Sequence, residues 1–182
     1  MRRLALALSL LAGPAAATGI EIDVDGTHVQ GTIAIDLFEE VAPKHVAQIT
    51  ALAEQGFYND VYFHRVIDGF MAQTGDGEFG TVGSDPRRAG TGGSDLGNID
   101  AEFSDLPFLR GTVGMARSQS PDSANSQFFI MFAEGDFLNG QYTVVGEVTA
   151  GLDVLDGIKR GDGSTLQVTG EPDHMSAVRV TD

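Results

Sequence analysis

Arg65 stands in a segment that is otherwise mostly apolar or aromatic, which makes it the first candidate for chemistry in this chain. Alternation along a strand would place Arg65 on the same face as Phe63 and Ile67. Two interpretations are open. The long stem can pack on apolar surface while the charged head lies in water, or the guanidinium can be a donor held at the rim of an apolar pocket. Such a donor stays charged and cannot act as an acid.

A tight hairpin is the element expected to position this arginine. Residues 61–67 and 70–74 are short apolar runs on either side of Asp68-Gly69. Asp-Gly between alternating apolar residues strongly favours a turn between paired strands. A second hairpin is predicted over residues 20–37, with its turn at Asp25-Gly26.

Many short strands and only two helices are predicted for the rest of the chain. The first helix is predicted over 43–55, because Pro43 suits a first helical position and apolar residues then recur at helical spacing. The other predicted elements are strands at 112–116, 126–132, 142–148 and near 175–180, and a short helix near 151–159. This pattern favours a closed or nearly closed barrel with helices as covers.

Residues 74–110 form a long segment rich in glycine, serine and aspartate, without a long apolar run. A loop of this length in a compact domain is usually functional or mobile. Its glycine pattern at 75–80 follows a predicted strand but does not open a helix, so a dinucleotide site is rejected. The spacing of its acidic residues does not fit an EF-hand, and a solvated acidic loop is the better interpretation.

Composition excludes several classes of function. The 182 residues suffice for one domain, and their formal net charge is −15. Nucleic acids and anionic membranes are poor partners for so acidic a protein, because both are bound by basic patches. The chain has no cysteine, so it can form no disulfide, thiol nucleophile or thiolate metal site.

Residues 1–17 have the pattern of a secretory signal peptide. A short basic start precedes an apolar run that is too short to span a bilayer, and Ala15-Ala16-Ala17 provides an A-x-A cleavage site. Cleavage would leave residues 18–182 as one domain and would change the formal net charge from −15 to −17. Without a cysteine after the apolar run, no lipid anchor is expected. The protein is therefore predicted to be periplasmic or secreted, with no membrane anchor.

Four motifs in order resemble the cyclophilins across essentially all of residues 18–182. The motifs are Phe63-His64-Arg65-Val66-Ile67-x-Gly-Phe70-Met71-x-Gln73, Gly114-Met115-Ala116, Asn125-Ser126-Gln127-Phe128-Phe129-Ile130 and Phe137-Leu138-x-Gly140. The resemblance implies a mainly β fold, an eight-stranded antiparallel closed barrel capped by two helices. It also implies peptidyl-prolyl cis-trans isomerase activity that needs no cofactor and no metal.

The implied reaction gives Arg65 and Gln73 catalytic roles. Resonance gives the X-Pro bond double-bond character, and the barrier to rotation falls if the prolyl nitrogen becomes pyramidal. A guanidinium that donates a hydrogen bond to that nitrogen favours the twisted state over the planar one, which is the differential binding that catalysis requires. Gln73 would steer either Arg65 or the substrate carbonyl.

The resemblance also implies a set of substrate-binding residues. An apolar pocket for the proline ring and a grip on the peptide main chain are expected from Phe70, Met71, Ala116, Arg117, Gln127, Phe129, Phe137, Leu138 and Tyr142. His64 should face away from Arg65 by strand alternation, and we interpret it as structural rather than as a general base.

Three positions depart from the pattern of the best-known eukaryotic members. Phe137 stands where those members usually carry tryptophan, Tyr142 where they often carry histidine, and Arg117 where they carry asparagine. Phenylalanine removes the indole N–H donor, so only weak cyclosporin binding is expected. The proline pocket should survive, because ring packing needs only an apolar aromatic side chain.

The expected partners are proline-containing unfolded or flexible polypeptides, and the expected role is to assist the folding of exported proteins. No partner helix or coiled coil is indicated, so a monomer is expected. Two other functions stay open: a module that binds proline-containing segments without isomerising them, and a secreted chaperone in which isomerisation is incidental.

Overall fold

The structure, a computed structural model, describes residues 18–85, 87–162 and 168–182. Nine antiparallel strands in these residues form one curled sheet. They are β1 (Gly19–Asp25), β2 (Gly31–Leu37), β3 (Val61–Tyr62), β4 (Arg65–Ile67), β5 (Met71–Thr74), β6 (Thr112–Met115), β7 (Phe128–Met131), β8 (Val144–Ala150) and β9 (His174–Thr181). Both predicted hairpins are present, as β1–β2 and β4–β5. The predicted signal peptide, residues 1–17, lies outside the described residues.

The expected eight-stranded closed barrel is wrong in detail. The strand order across the sheet is β3-β9-β1-β2-β8-β6-β7-β5-β4, so β3 and β4 are its two edges. These two edges are consecutive in the chain and are separated only by Phe63 and His64. The sheet is thus a curled nine-stranded sheet with a seam, and the run predicted as one strand crosses that seam.

Strand alternation therefore fails between β3 and β4. Phe63 and Val66 are both buried in the larger core, whereas Arg65 is half-buried outside it. At the seam, Phe63 N donates to the carbonyl of Asp173, and the carbonyl of His64 accepts from Val168 N. These hydrogen bonds replace the regular pairing of one continuous strand. Phe63 and Arg65 therefore lie on different faces, contrary to the prediction.

Within the part of the chain that the structure describes, two α-helices cover the sheet. Helix α1 (Pro43–Glu54) packs against β9, and helix α2 (Leu152–Gly157) packs against β2. Helix α1 buries apolar residues at helical spacing, among them Val46, Ile49 and Leu52. Two short 3-10 helices, Pro121–Ser123 and Asp136–Leu138, lie between strands. None of the helices in the described residues is long and apolar enough to cross a membrane.

The two faces of the sheet pack into two separate apolar clusters. On β7, Phe128 and Ile130 belong to the larger cluster, whereas Phe129 and Met131 belong to the smaller one. On β5, Ala72 belongs to the larger cluster and Met71 to the smaller one. Because successive side chains of a strand point to opposite faces, the smaller cluster marks the face on which Arg65 lies.

Candidate active site

Strand register places the central residues of the site in one row. Arg65 on β4 is paired with Gln73 on β5, and Gln73 is paired with Phe129 on β7. Phe129 is paired in turn with Gly114 on β6. Residues directly opposite each other on antiparallel strands project to the same face, so the four positions form a row across four strands.

Ten of the eleven sequence-predicted site residues line one open cavity of about 240 Å³. They are Arg65, Phe70, Met71, Gln73, Ala116, Arg117, Phe129, Phe137, Leu138 and Tyr142. The eleventh residue, Gln127, does not line this cavity and lies beside it. The structure therefore brings the predicted residues together from the β4–β5 hairpin, β7, the segment that follows β6 and the segment that precedes β8.

The cavity has a buried apolar floor and an aromatic rim. Met71, Phe129 and Leu138 are almost completely buried, and they belong to the smaller cluster. At the rim, Phe137 is 65% exposed, and its ring centroid lies 5.3 Å from that of Phe70. A hollow of this size and lining can hold a small apolar ring.

Two residues that shape the floor had no role in the sequence prediction. The ring of Phe108 stacks on Phe129 at 5.7 Å between centroids, although Phe108 lies in the long segment predicted as loop. A Cβ atom on Gly114 would lie 2.6 Å from Phe129, so only glycine lets the two rings pack this closely over β6. The signal that could have revealed Phe108 is the apolar Phe108-Leu109 pair near the end of an otherwise polar segment.

Arg65 is half-buried at the edge of this floor. Its Nη1 donates a hydrogen bond of 3.2 Å to Oε1 of Gln73. Burial lowers the pKa of Arg65 from its ordinary value, while Tyr142 acts in the opposite direction. A guanidinium in a protein nevertheless stays charged. A guanidinium has five N–H donors, so one bond to Gln73 leaves others for a ligand.

Gln127 connects this cavity to a second, more polar one of about 520 Å³. Its Oε1 accepts a hydrogen bond of 3.0 Å from Nε2 of Gln73. Gln73, Ala116 and Arg117 line both cavities. The two cavities therefore adjoin each other at Gln73, Ala116 and Arg117.

Arg117 and Tyr142 contact each other in the lining of the cavity. The guanidinium carbon of Arg117 lies 4.3 Å from the ring centroid of Tyr142, and Tyr142 packs edge-on against Phe129 at 5.9 Å. Arg117 also donates to the carbonyl of Gln141 through Nε and Nη2. These contacts hold the Tyr142 ring upright against the floor of the cavity.

His64 is buried against Gly90 of the long loop, where a Cβ atom would lie 3.0 Å from the imidazole ring. The residue is 5% exposed, and neither ring nitrogen has a hydrogen-bond partner within the described part of the chain. Burial lowers the pKa of His64 to about 4, even though the nearby Asp76 carboxylate acts in the opposite direction. The imidazole is therefore neutral at neutral pH, and His64 does not line the cavity that Arg65 lines.

Comparisons with known proteins show the family of this chain. Residues 20–180 match the family described as "Cyclophilin type peptidyl-prolyl cis-trans isomerase/CLD". A probable peptidyl-prolyl cis-trans isomerase of Brucella suis is 58% identical over 147 residues, which cover 80% of this chain and 75% of that protein. A peptidyl-prolyl cis-trans isomerase of Helicobacter pylori is 42% identical over 137 residues, which cover 73% and 77% of the two chains.

A solved structure shares the fold. The cyclophilin type peptidyl-prolyl cis-trans isomerase of Cryptosporidium parvum superposes with a TM-score of 0.75 and 28% identity, over 92% of this chain and 99% of that one. The same curled antiparallel sheet and two helices are thus found in a protein of that activity. The chain belongs to the cyclophilin-type peptidyl-prolyl cis-trans isomerase family and is an isomerase enzyme.

Proposed function

We propose that Arg65 carries the isomerisation by donating a hydrogen bond to the prolyl nitrogen of a substrate. As the X-Pro bond twists, the nitrogen lone pair leaves conjugation and becomes a better acceptor. The bond to Arg65 then strengthens in the transition state relative to the ground state, and this difference lowers the barrier. The low-polarity surroundings of a half-buried guanidinium make the interaction stronger than it would be in water.

One observation carries the proposal: a charged donor lies at the edge of an apolar hollow that suits a pyrrolidine ring. Met71, Phe129 and Leu138 form the floor of that hollow, and Arg65 lines the same cavity. A proline ring seated on this floor would bring its nitrogen towards the guanidinium. A Cryptosporidium parvum cyclophilin solved in the presence of the dipeptide Ala-Pro superposes on this chain with a TM-score of 0.73, which supports a proline-containing peptide as the ligand.

The physiological substrates in this proposal are exported proteins that fold slowly at prolyl bonds. Uncatalysed prolyl isomerisation takes 10–100 s, long enough to limit folding. The signal-peptide pattern of residues 1–17 supports export to the periplasm or the medium, and the acidic composition supports a dispersed monomer.

Cyclosporin is expected to bind only weakly. Phe137 forms the exposed rim of the cavity and provides no N–H donor. The Phe137 ring packs against Phe70, so the proline pocket should be preserved even though cyclosporin binds weakly.

A proline-peptide isomerisation assay on Arg65→Ala tests the proposal. Hydrogen bonds to charged groups contribute about 1.5–3 kcal/mol, so kcat/KM should fall by about 10- to 100-fold. Arg179→Ala is the matched control, because Arg179 pairs with Asp23 and Glu21 and does not line the cavity. Equal rates for Arg65→Ala and Arg179→Ala would refute the role of Arg65.

A further inference from the structure

The carboxylate of Asp76 is completely buried and organises the long loop that follows β5. Oδ1 accepts hydrogen bonds from the backbone N–H groups of Glu78 and Phe79, at 3.1 and 2.9 Å. Oδ2 accepts from those of Gly90 and Gly92, at 2.7 and 3.0 Å. One side chain thus joins the start of the loop to a point about 15 residues further along the sequence.

The backbone of Gly92 continues this connection towards Arg65, because its N–H group binds Asp76 and its carbonyl, in the next peptide unit, faces Gln127. Nε2 of Gln127 donates to the carbonyl of Gly92 at 2.9 Å. Oε1 of Gln127 accepts from Nε2 of Gln73 at 3.0 Å, and Oε1 of Gln73 accepts from Nη1 of Arg65 at 3.2 Å. A series of hydrogen bonds, joined through the backbone of Gly92, therefore runs from the buried carboxylate to the guanidinium.

The Gly92 carbonyl and the Arg65 guanidinium together fix the orientation of the side-chain amides of Gln127 and Gln73. The Gly92 carbonyl can only accept a hydrogen bond, and the Arg65 guanidinium can only donate one. Each glutamine amide must therefore present its NH₂ group towards Gly92 and its oxygen towards Arg65. If the Gly92 peptide rotated, Gln127 would lose this constraint, and the oxygen of Gln73 would no longer be held towards Arg65.

We propose that Asp76 is a positioning residue for Arg65, acting through Gly92, Gln127 and Gln73. The inference rests on the proposed role of Arg65 in the reaction. An arginine side chain loses considerable rotamer freedom when it is held in one place. A series of bonds that fixes the acceptor for Nη1 in advance reduces this loss during turnover, because supporting contacts preorganise the reacting group.

Close packing around Gly92 supports this role. A Cβ atom at residue 92 would clash with Oδ1 of Asp76 and would lie 2.8 Å from Cβ of Glu78. The backbone at Gly92 therefore fits against the carboxylate with no room for a side chain. The link between the loop and Gln127 is consequently tight, and a displacement of the Asp76 carboxylate is transmitted to the Gly92 carbonyl.

Asp76→Asn weakens this series at its buried end, because the amide oxygen replaces only one carboxylate oxygen and the NH₂ group cannot accept the two N–H groups that the other now accepts. Asp85→Asn is the matched control: it makes the same charge change in the same loop, but Asp85 is exposed and pairs with Arg87. NMR exchange spectroscopy on a proline peptide gives the isomerisation rate of the bound peptide and the Kd separately. We expect the bound-state rate to fall about three- to tenfold for Asp76→Asn, and to be unchanged for Asp85→Asn.

A double-mutant cycle distinguishes positioning from a merely structural role. In a Gln127→Ala background the series is already interrupted, so Asp76→Asn should lower the bound-state rate by less than about twofold. The same three- to tenfold loss in both backgrounds, or a loss confined to Kd, would overturn the proposal. Arg65→Ala is measured alongside: full activity in that variant rejects the role of Arg65 itself, whereas loss there with full activity in Asp76→Asn rejects only the positioning role.

Gln127→Glu replaces Asp76→Asn if the latter does not fold. The glutamate can still accept from Gln73 but has no donor for the Gly92 carbonyl. We expect a lower bound-state rate and a broadened Arg65 side-chain signal in ¹⁵N spectra. A bound-state rate equal to that of the wild type would overturn the positioning role by itself.

Discussion

Arg65 is the residue on which the proposed chemistry depends, and its neighbours determine how it is held. One N–H group is bonded to Gln73, and the side chain lies half-buried beside Phe129 and Tyr142 in the same cavity. A flexible, fully hydrated arginine would have to be ordered and dehydrated at each turnover. The arrangement found here reduces both requirements, which is the advantage of placing a charged donor at the rim of an apolar floor.

The lowered pKa of His64 predicts that the protein loses stability in mild acid. Its pKa is lowered to about 4 by burial, whereas an unfolded histidine titrates near 6.5. Between these pH values the unfolded state binds more protons, so stability falls as the pH falls. By pH 5 the loss should be about 2 kcal/mol. Urea unfolding at several pH values measures it, and the decline should be smaller in His64→Gln. Parallel pH curves for the two proteins would contradict the prediction.

The phenylalanine at position 137 is expected to limit the affinity for cyclosporin. In Phe137→Trp an indole N–H is available at the rim, and one added hydrogen bond corresponds to about three- to tenfold in affinity. Isothermal titration calorimetry should show tighter cyclosporin binding by that factor. Phe103→Trp, at another exposed phenylalanine, is the control and should leave the affinity unchanged. Equal affinities for Phe137→Trp and the wild type would show that the indole N–H is not what limits binding.

At the scale of secondary structure, helix α1 depends on a carboxylate from the long loop. Ala42 stands at the N-cap and provides no side-chain hydrogen bond to the helix. Glu102 instead accepts from the backbone N–H groups of Lys44 and His45, and from Nδ1 of His45 at 2.6 Å. Burial opposes ionisation of Glu102, but these hydrogen bonds outweigh it and lower its pKa. Glu102 therefore stabilises the fold above its unfolded pKa of about 4.5 and loses this contribution as the pH falls below it.

Glu102→Ala should destabilise the protein by about 2 kcal/mol, because it removes both the N-terminal cap of α1 and the hydrogen-bond partner of the buried His45 ring. Urea unfolding at pH 7 measures the free energy. Asp105→Ala, at an exposed acidic residue nearby in the same loop, is the matched control and should change stability by less than about 0.5 kcal/mol. A similar, small effect of both substitutions would show that the capping contact does not stabilise α1.

The ends of the strands show how far the sequence predicts this fold. Strands β1 and β2 follow clear alternation, so their existence could be predicted from period and turn residues alone. The break between β3 and β4 could not, because Phe63 and His64 include no glycine or proline to mark it. It exists because β3 pairs with β9 and β4 pairs with β5, and such tertiary pairing leaves no local signal.

The site residues that belong to sequence motifs could be predicted, whereas the contacts made by the long loop could not. Arg65, Phe70 and Phe129 stand in runs that resemble a family pattern, and the strand register then brings them together. The links through Asp76 and Gly92 depend on backbone N–H groups of an irregular segment. No periodicity indicates which carboxylate in an acidic loop turns inward, so this part required the structure.

For the whole molecule, the proposed export predicts a shorter mature chain. Expression of the full chain with a bacterial secretion system should yield a protein in the periplasmic fraction whose N-terminal residue is Thr18. Intact-mass spectrometry reads the cleavage site directly. Replacing Arg2 and Arg3 with glutamate removes the basic start and should reduce processing. Recovery of the uncleaved chain in the cytoplasm, with Met1 or Arg2 at its N-terminus, would contradict the proposed localisation.

In the proposed mechanism, one guanidinium beside an apolar hollow stabilises the twisted X-Pro bond more than the planar one. NMR exchange spectroscopy of a proline peptide with wild type and Arg65→Ala tests this most directly, because it separates the bound-state rate from Kd. We predict that the bound-state rate falls by about 10- to 100-fold while Kd changes by less than about threefold. A bound-state rate that stays at the wild-type value, with the loss of activity explained by Kd alone, would contradict the account.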